Sequence, residues 1–471
     1  MNASAPGAVR AAGDRLIGLL CRLVLAIFFR RIEVVGRERV PHGDSDGCRV
    51  PLVVVANHVN GLIDPLFVLG PLGLPARLLG KSTLWKIPVL AQILDLAGVV
   101  PVHRRQDAGA DTARNLESFS RCHEELAGGG IVAIFPEGVS HDEPQLQPLK
   151  TGAARILLEA ETRFGPLGCR VLPVGLLFEE RGRFRSRALV VVGVPIDPAE
   201  EVELARRDES TAVRLLTERI TEGLERVTLN YRSWEESRLV ERGARILEVD
   251  ALELPRERRL AAEFDARRSL LDGLDELRRS HPREVVAAVE AARAYDHLLL
   301  LAGLRDEQVI ASYPLHRLLG SLARMAVSSA LTLPVAILGA LLNLLPFSVV
   351  ELISRRFDDE PNQVATYKVF PGIIAYPAVW LVEGLITWRW WGAASGLGMM
   401  WLAPLSGYIA VRFFERQEML WRESRAFLLL QRRDRIASEL RERRREVGRR
   451  IESLVELWVE AQAFAPDSRR S

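Results

Sequence analysis

The chain has 471 residues, 48% of them hydrophobic, and a formal net charge of +2. That is enough for two or three domains with a substantial core, and the near-neutral balance gives no basis for a nucleic-acid partner. Four scattered cysteines, Cys21, Cys48, Cys122 and Cys169, suit reduced thiols in a cytosolic compartment and form no zinc signature, so no metal is expected.

Residues 15–29, RLIGLLCRLVLAIFF, have helical character. The run is short for a bilayer span and carries Arg22; Arg30 and Arg31 follow it, so it does not fit a cleavable signal. Two readings stand, an interfacial amphipathic helix over 1–31 or a core helix of the next domain. From 32 to 200, apolar runs alternate with helical segments: IEVVG at 32, LVVVAN at 52, ARLLG at 76, GVVPV at 98, IVAIF at 131, RVLPVGL at 170 and ALVVVG at 188. This alternation predicts an α/β domain built on one sheet.

Residues 201–320 are rich in Glu, Arg, Leu and Ala, with a break at Pro282, and predict amphipathic helices. Between 321 and 414, Met325–Val350 and Trp390–Val411 are uncharged, and Val369–Trp388 carries only Glu383. The two uncharged runs have the length of membrane spans. Pro334, Asn343 and Pro346 predict that the first dips in and returns, with the other two segments forming a hairpin. Arg355, Arg356 and Lys368 then belong on the cytosolic side. The tail, 415–471, is a charged helix with apolar positions Ile436, Leu440, Val447, Ile451, Leu454 and Trp458. It reads as a coiled-coil arm or as a helix packed on 201–320.

Chemistry concentrates where strands end. In VVVANHVNGLIDPLFVLG, His58 and Asp64 lie six positions apart across Asn60-Gly61. A histidine leaving a strand suits a general base, and a carboxylate on its second ring nitrogen would fix its tautomer. Asp64 before Pro65 equally fits a helix N-cap. In LAGVVPVHRRQDAG, Arg104 closes an apolar run and can hold a phosphate with its fork of donors. His103, Arg105 and His141 read as solvated surface residues beside a site. In IVAIFPEGVSHDEPQLQPLKTGAARI, Glu137 and Gly138 leave a strand, while Lys150, Thr151 and Gly152 open a helix whose N-terminus favours an anion. Trp85 and Lys86 lie either on an acyl-donor path or in a packed amphipathic segment.

Four blocks in this order, NHVNGLID, GVVPVHR, FPEG and VLPVGL, resemble the glycerolipid acyltransferase family, which includes lysophosphatidate and glycerol-3-phosphate acyltransferases. The resemblance covers roughly residues 50–200. It implies a single mixed sheet flanked by helices over 32–200, here followed by a helical region and a C-terminal helical membrane region. The family commonly has four residues between His and Asp, whereas five separate His58 from Asp64. The longer spacing is similar to the fungal glycerol-3-phosphate/dihydroxyacetone-phosphate acyltransferase branch and shifts the expected acceptor toward the first acylation step. The resemblance implies that His58 takes the proton from an acceptor hydroxyl attacking an acyl thioester, with Asp64 orienting the imidazole. Arg104 would hold the phosphate, with Lys150 as second cation. Glu137 would bond acceptor hydroxyls, its other reading being a loop carboxylate held by nearby amides, and Gly138 would allow close backbone approach.

The expected protein is therefore a membrane-bound O-acyltransferase with its catalytic domain on the cytoplasmic face. It has no cofactor, and acyl-CoA or acyl-carrier protein is its co-substrate. A 1-acyl-glycerol-3-phosphate acceptor is the alternative within the class. Outside it stand a metal-dependent phosphoester hydrolase using His58, Asp64, His103 and His141, distinguished by chelator sensitivity, and an idle membrane scaffold, distinguished by assay of purified protein.

Overall fold

A computed structural model describes residues 5–41, 50–86, 88–103, 115–180, 184–247, 259–304, 306–310, 315–355, 364–432 and 434–463. These fall into two compact units. The first covers 1–230 with 254–262 and 357–369; the second covers 231–253, 263–356 and 370–471.

In the first unit the chain runs α1 (Ala5–Phe28), β1 (Phe29–Val35), β2 (Leu52–Ala56), α2 (Asp64–Leu69), β3 (Ala76–Lys81), α3 (Pro88–Leu96), β4 (Val100–Val102), α4 (Asn115–Ala127), β5 (Ile131–Ile134), α5 (Gly152–Phe164), β6 (Arg170–Phe178), β7 (Ser186–Val192), α6 (Ala199–Ala205) and α7 (Glu209–Val227). All seven strands expected from the apolar runs are present, in one sheet of order β1-β7-β6-β2-β5-β3-β4. β2 to β6 run parallel, while β6 and β7 are antiparallel, so the sheet is mixed. β2 lies mid-sheet with all five residues buried, as a strand covered on both faces requires. Its continuous Leu-Val-Val-Val-Ala run is the sequence consequence, each larger side chain stabilising by roughly 1.5–3 kcal/mol on burial.

Pro173 stands inside β6, where a missing N–H ordinarily breaks a ladder. Here Gly193 N–H donates to the Pro173 carbonyl at 2.8 Å. Regular β7 pairing has ended at Val192, so on that side the proline stands just beyond the ladder. Pro101 lies in β4, at the sheet edge.

Two domain boundaries shift. α1 joins the first unit and runs straight into β1 at Phe29 rather than ending a separate segment at 31. It buries Cys21, Leu25 and Phe28 and leaves Leu16, Leu19, Leu20, Leu23 and Ile27 about half exposed. One helix therefore has a core face and an apolar outer face. The α/β unit also extends past 200 to Asn230. The reason is that α7 covers the sheet: its Gly223 lies against Pro173 and its Val227 against Gly175 of β6.

The second unit contains α8 (Trp234–Leu247), most of α9 (Arg259–Ser280), α10 (Pro282–Ala302), α11 (Asp306–Ile310), α12 (Leu315–Leu342), α13 (Leu344–Arg355), α14 (Val364–Trp391, from 370 on), α15 (Ala393–Arg432) and α16 (Asp434–Ala463). Pro282 opens α10 as a first-turn proline, consistent with the expected break. In α16, Leu440, Val447, Ile451 and Leu454 are buried, and Trp458 lies over Gly273 of α9, so the tail is a packed helix of this unit. Its ion pairs are internal: Asp306 receives Arg242, Arg444 and the Tyr295 hydroxyl.

Lys368–Trp391 and Ala393–Glu418 are long and apolar enough to cross a membrane, joined at Gly392 (φ 87°). The run Met325–Val350, expected to dip in and return, is broken at Asn343, where Ser329–Leu342 and Leu344–Arg355 meet at a bend of 58°. The Asn343 side chain donates to the Gly339 and Ala403 carbonyls (2.9 and 3.0 Å) and accepts from Trp380 Nε1 at 2.9 Å. An amide with every polar atom bonded is what a break within an apolar run requires.

Candidate active site

The site lies where the parallel strands end. Ligands in open α/β sheets gather at the carboxyl ends of the strands, and the chain leaving β2 there begins Asn57-His58. The Asn57 side chain behaves as an added peptide group. Its amide donates to the Leu176 carbonyl at 3.0 Å and its oxygen accepts from Leu176 N–H at 2.7 Å, tying the end of β2 to β6.

His58 and Asp64 meet. Nδ1 of His58 lies 2.9 Å from Asp64 Oδ2, and the same oxygen accepts the Val59 and Asn60 N–H groups, each at 2.8 Å. An ionised carboxylate only accepts, so Nδ1 carries the proton and Nε2 keeps a free lone pair. No described residue hydrogen-bonds Nε2, and the His58 side chain is 13% exposed against 0% for Asp64. The ring stacks on Phe135, centroids 4.5 Å apart. Residues six apart meet because the chain turns through Val59 and Asn60, then through a 3-10 turn at Gly61–Ile63, before α2. Asp64 is not the N-cap. That position is Ile63, with no side-chain cap bond, because the 3-10 turn runs directly into α2 and leaves Asp64 as its first residue. The carboxylate reaches backward to hold the turn instead.

Glu137 follows β5, the neighbour of β2. It is 2% exposed. Oε1 accepts from His58 N–H at 2.7 Å; Oε2 accepts from Gln147 N–H at 2.9 Å and bonds His141 Nε2. Its carboxylate is thus held by amides, the second of its two sequence readings, with His141 as a third partner. His141 is not a solvated surface residue: its side chain is 11% exposed. The two are only four residues apart, yet they lie in a loop with no regular period to pair them, and it is the turn through Gly138 that places His141 over Glu137. Gly138 has φ 73°, a conformation that favours glycine, and a Cβ there would lie 2.7 Å from Lys150 Cδ. The close approach it permits is that of Lys150, an exposed side chain just before α5.

Arg104 and Arg105 lie outside the described residues. The chain on either side is pinned: His103 N–H donates to Asn115 Oδ1 and Asn115 Nδ2 donates to the His103 carbonyl, both at 2.8 Å. His103 leaves β4 three strands from β2, about 14 Å at ordinary strand spacing. Lys81 ends β3 opposite Val102 and so shares the strand edge. The apolar run at 76–80 stopped one residue short of it. Trp85 lies in a 3-10 turn with its indole N–H on Asp95 at 2.7 Å and its ring against Gly80, the packed reading of that segment. Among the described residues no three His, Cys, Asp or Glu side chains group as metal ligands.

A family model described as "Acyltransferase" matches residues 13–177. The matched stretch is an acyltransferase domain and contains His58, Asp64 and Glu137. Among individual proteins it is similar to an uncharacterized acyltransferase of Schizosaccharomyces pombe, 30% identical over 193 residues, 41% of this chain and 28% of that one. Glycerol-3-phosphate O-acyltransferase 2 of Saccharomyces cerevisiae is 31% identical over 202 residues, 43% of this chain and 26% of the relative. The chloroplastic 1-acyl-sn-glycerol-3-phosphate acyltransferase BAT2 of Brassica napus is 29% identical over 149 residues, 32% of this chain and 38% of the relative. The chain thus spans little more than a quarter of the length of the two yeast relatives it matches.

Proposed function

We propose that this protein transfers a fatty acyl group from an acyl thioester to a hydroxyl of glycerol 3-phosphate or dihydroxyacetone phosphate. The observation that carries the reading is the His58–Asp64 pair at the end of β2, Nδ1 bound at 2.9 Å and Nε2 open, within the acyltransferase domain. Nε2 accepts the acceptor's hydroxyl proton as the oxygen attacks the thioester carbonyl. Asp64 stabilises the imidazolium, which returns the proton to the departing thiolate. Arg104 and Lys150 neutralise the acceptor phosphate. Glu137 shapes the strand exit, its oxygens already serving His58, Gln147 and His141. The five-residue His–Asp spacing and the yeast glycerol-3-phosphate relative support the first acylation step. The plant relative supports a second reading, with 1-acyl-glycerol 3-phosphate as acceptor. Full-length protein offered each acceptor with one labelled acyl-CoA, the products identified by mass, separates them. Lysophosphatidate or its dihydroxyacetone counterpart as main product supports the first, phosphatidate the second, and no acylated product overturns both.

In this proposal the protein is embedded in a bilayer with the α/β unit on the cytoplasmic face. The exposed leucine face of α1 lies in the interface, Lys368–Trp391 and Ala393–Glu418 form a hairpin, and the bent pair α12–α13 re-enters. The connection 356–363, which holds Arg356, lies outside the described residues. A cysteine placed at 360 in a Cys48→Ser background should react with impermeant maleimide only from the cytosolic side. The three remaining cysteines stay silent. Cys21, Cys122 and Cys169 are buried, and burial pushes the Cys21 thiol up to about 11, Cys122 up to about 12, and Cys169 higher still. Thiolate is the reactive form, so little is present at pH 7–8. Labelling at 360 from the opposite face would overturn the topology.

A further inference from the structure

The loop after β5 holds the peptide groups on both sides of His58. Glu137 Oε1 accepts the His58 N–H at 2.7 Å. The His58 carbonyl accepts the N–H of His141 at 3.2 Å. A third tie joins the same loop to the turn that carries Asp64, where Gly61 N–H donates to Ser140 Oγ at 3.1 Å. Glu137 can do this only while it stays fixed, and its side chain is fully buried. A buried carboxylate requires donors to offset its desolvation. Oε2 has two: the Gln147 N–H and the His141 ring. Nδ1 of that ring accepts from Glu143 N–H at 3.1 Å, so the proton sits on Nε2 and is donated to Glu137. The neutral imidazole suffices.

We propose that His141 is a positioning residue for acyl transfer, its ring locking Glu137 so that Glu137 fixes the backbone of His58. The proposal rests on the acyltransferase reading in which His58 is the general base. The His141 side chain touches no reacting atom and acts on His58 through Glu137, while its backbone N–H bonds the His58 carbonyl directly. Substrate affinity should therefore be spared while turnover suffers, since a displacement near 1 Å at the reacting group costs on the order of 10²-fold.

Two isosteres separate the ring's two nitrogens. In His141→Gln the amide reaches about as far as Nε2 and keeps the donor to Glu137. In His141→Asn the amide stands near Nδ1, keeps the Glu143 bond and falls short of Glu137. Both retain the backbone N–H that holds the His58 carbonyl. Full-length variants are compared for kcat, for KM of acceptor and thioester, and for carbethoxylation of His58 Nε2 by diethylpyrocarbonate, mapped by mass. The expected result is a kcat lower by about 10²-fold in His141→Asn, near-native kcat in His141→Gln, and unchanged KM in both. His58 carbethoxylation should slow in the Asn variant alone. Equal losses in both variants, a change confined to KM, or native kcat in His141→Asn would each overturn the proposal. The modification readout needs no turnover. If it follows the predicted order in a protein that transfers no acyl group, the acyltransferase reading has failed and the coupling of His141 to His58 stands. If transfer is robust and His58 reactivity ignores both variants, the coupling has failed and the acyltransferase reading stands.

Discussion

Asp64→Asn is expected to leave a folded protein whose turnover falls by about 10²–10⁴-fold, the range associated with a general base. Asparagine keeps one oxygen to accept from Val59 and Asn60 N–H, which together with His58 occupy Oδ2. It cannot supply the charge that stabilises the imidazolium. Its amide must also stand where Asp64 Oδ1 is now buried without a described partner. An unsatisfied buried donor costs about 1–3 kcal/mol, so the melting temperature should drop by several degrees while the fold survives. His58→Ala should fold and retain little activity. The double variant should be hardly slower than His58→Ala, because residues acting as one unit are non-additive. Near-native kcat in Asp64→Asn would leave the carboxylate as a fastener of the turn and nothing more. The cap role does not enter, since α2 takes no side-chain cap from Asp64.

Arg104→Ala should raise the KM for a phosphorylated acceptor by about 30-fold or more, since truncating one partner of a buried charge-assisted pair costs about 2–5 kcal/mol. A phosphate-free acceptor such as a monoacylglycerol should respond little. Lys150→Ala should produce a weaker effect of the same kind, because Lys150 is solvent-exposed beside Gly138 and exposed charge pairs contribute less. Equal losses with both acceptors would make Arg104 structural.

Local pattern determined much of this protein. Seven apolar runs became seven strands; the run of β2 is apolar throughout because that strand is covered on both faces, and such runs are visible at short range. That Lys368–Trp391 and Ala393–Glu418 are long and apolar enough to cross a membrane follows equally from length and hydropathy. The His58, Asp64 and Glu137 blocks were legible because each sits at a strand exit marked by Asn, Gly or Pro. Tertiary structure alone decided what these groups touch. Asp64 serves the turn behind it because a 3-10 turn over Gly61–Ile63 runs directly into α2. His141 left the solvent because its loop folds back over Glu137. The domain boundary moved to 230 because α7 covers the same sheet that the apolar runs build. The tail, which by pattern suited two partners equally, packs into the helical unit. Periodicity reports which face of an element is buried, not against what. Which backbone amide completes a carboxylate, or which helix covers a sheet, depends on contacts between residues far apart in the chain.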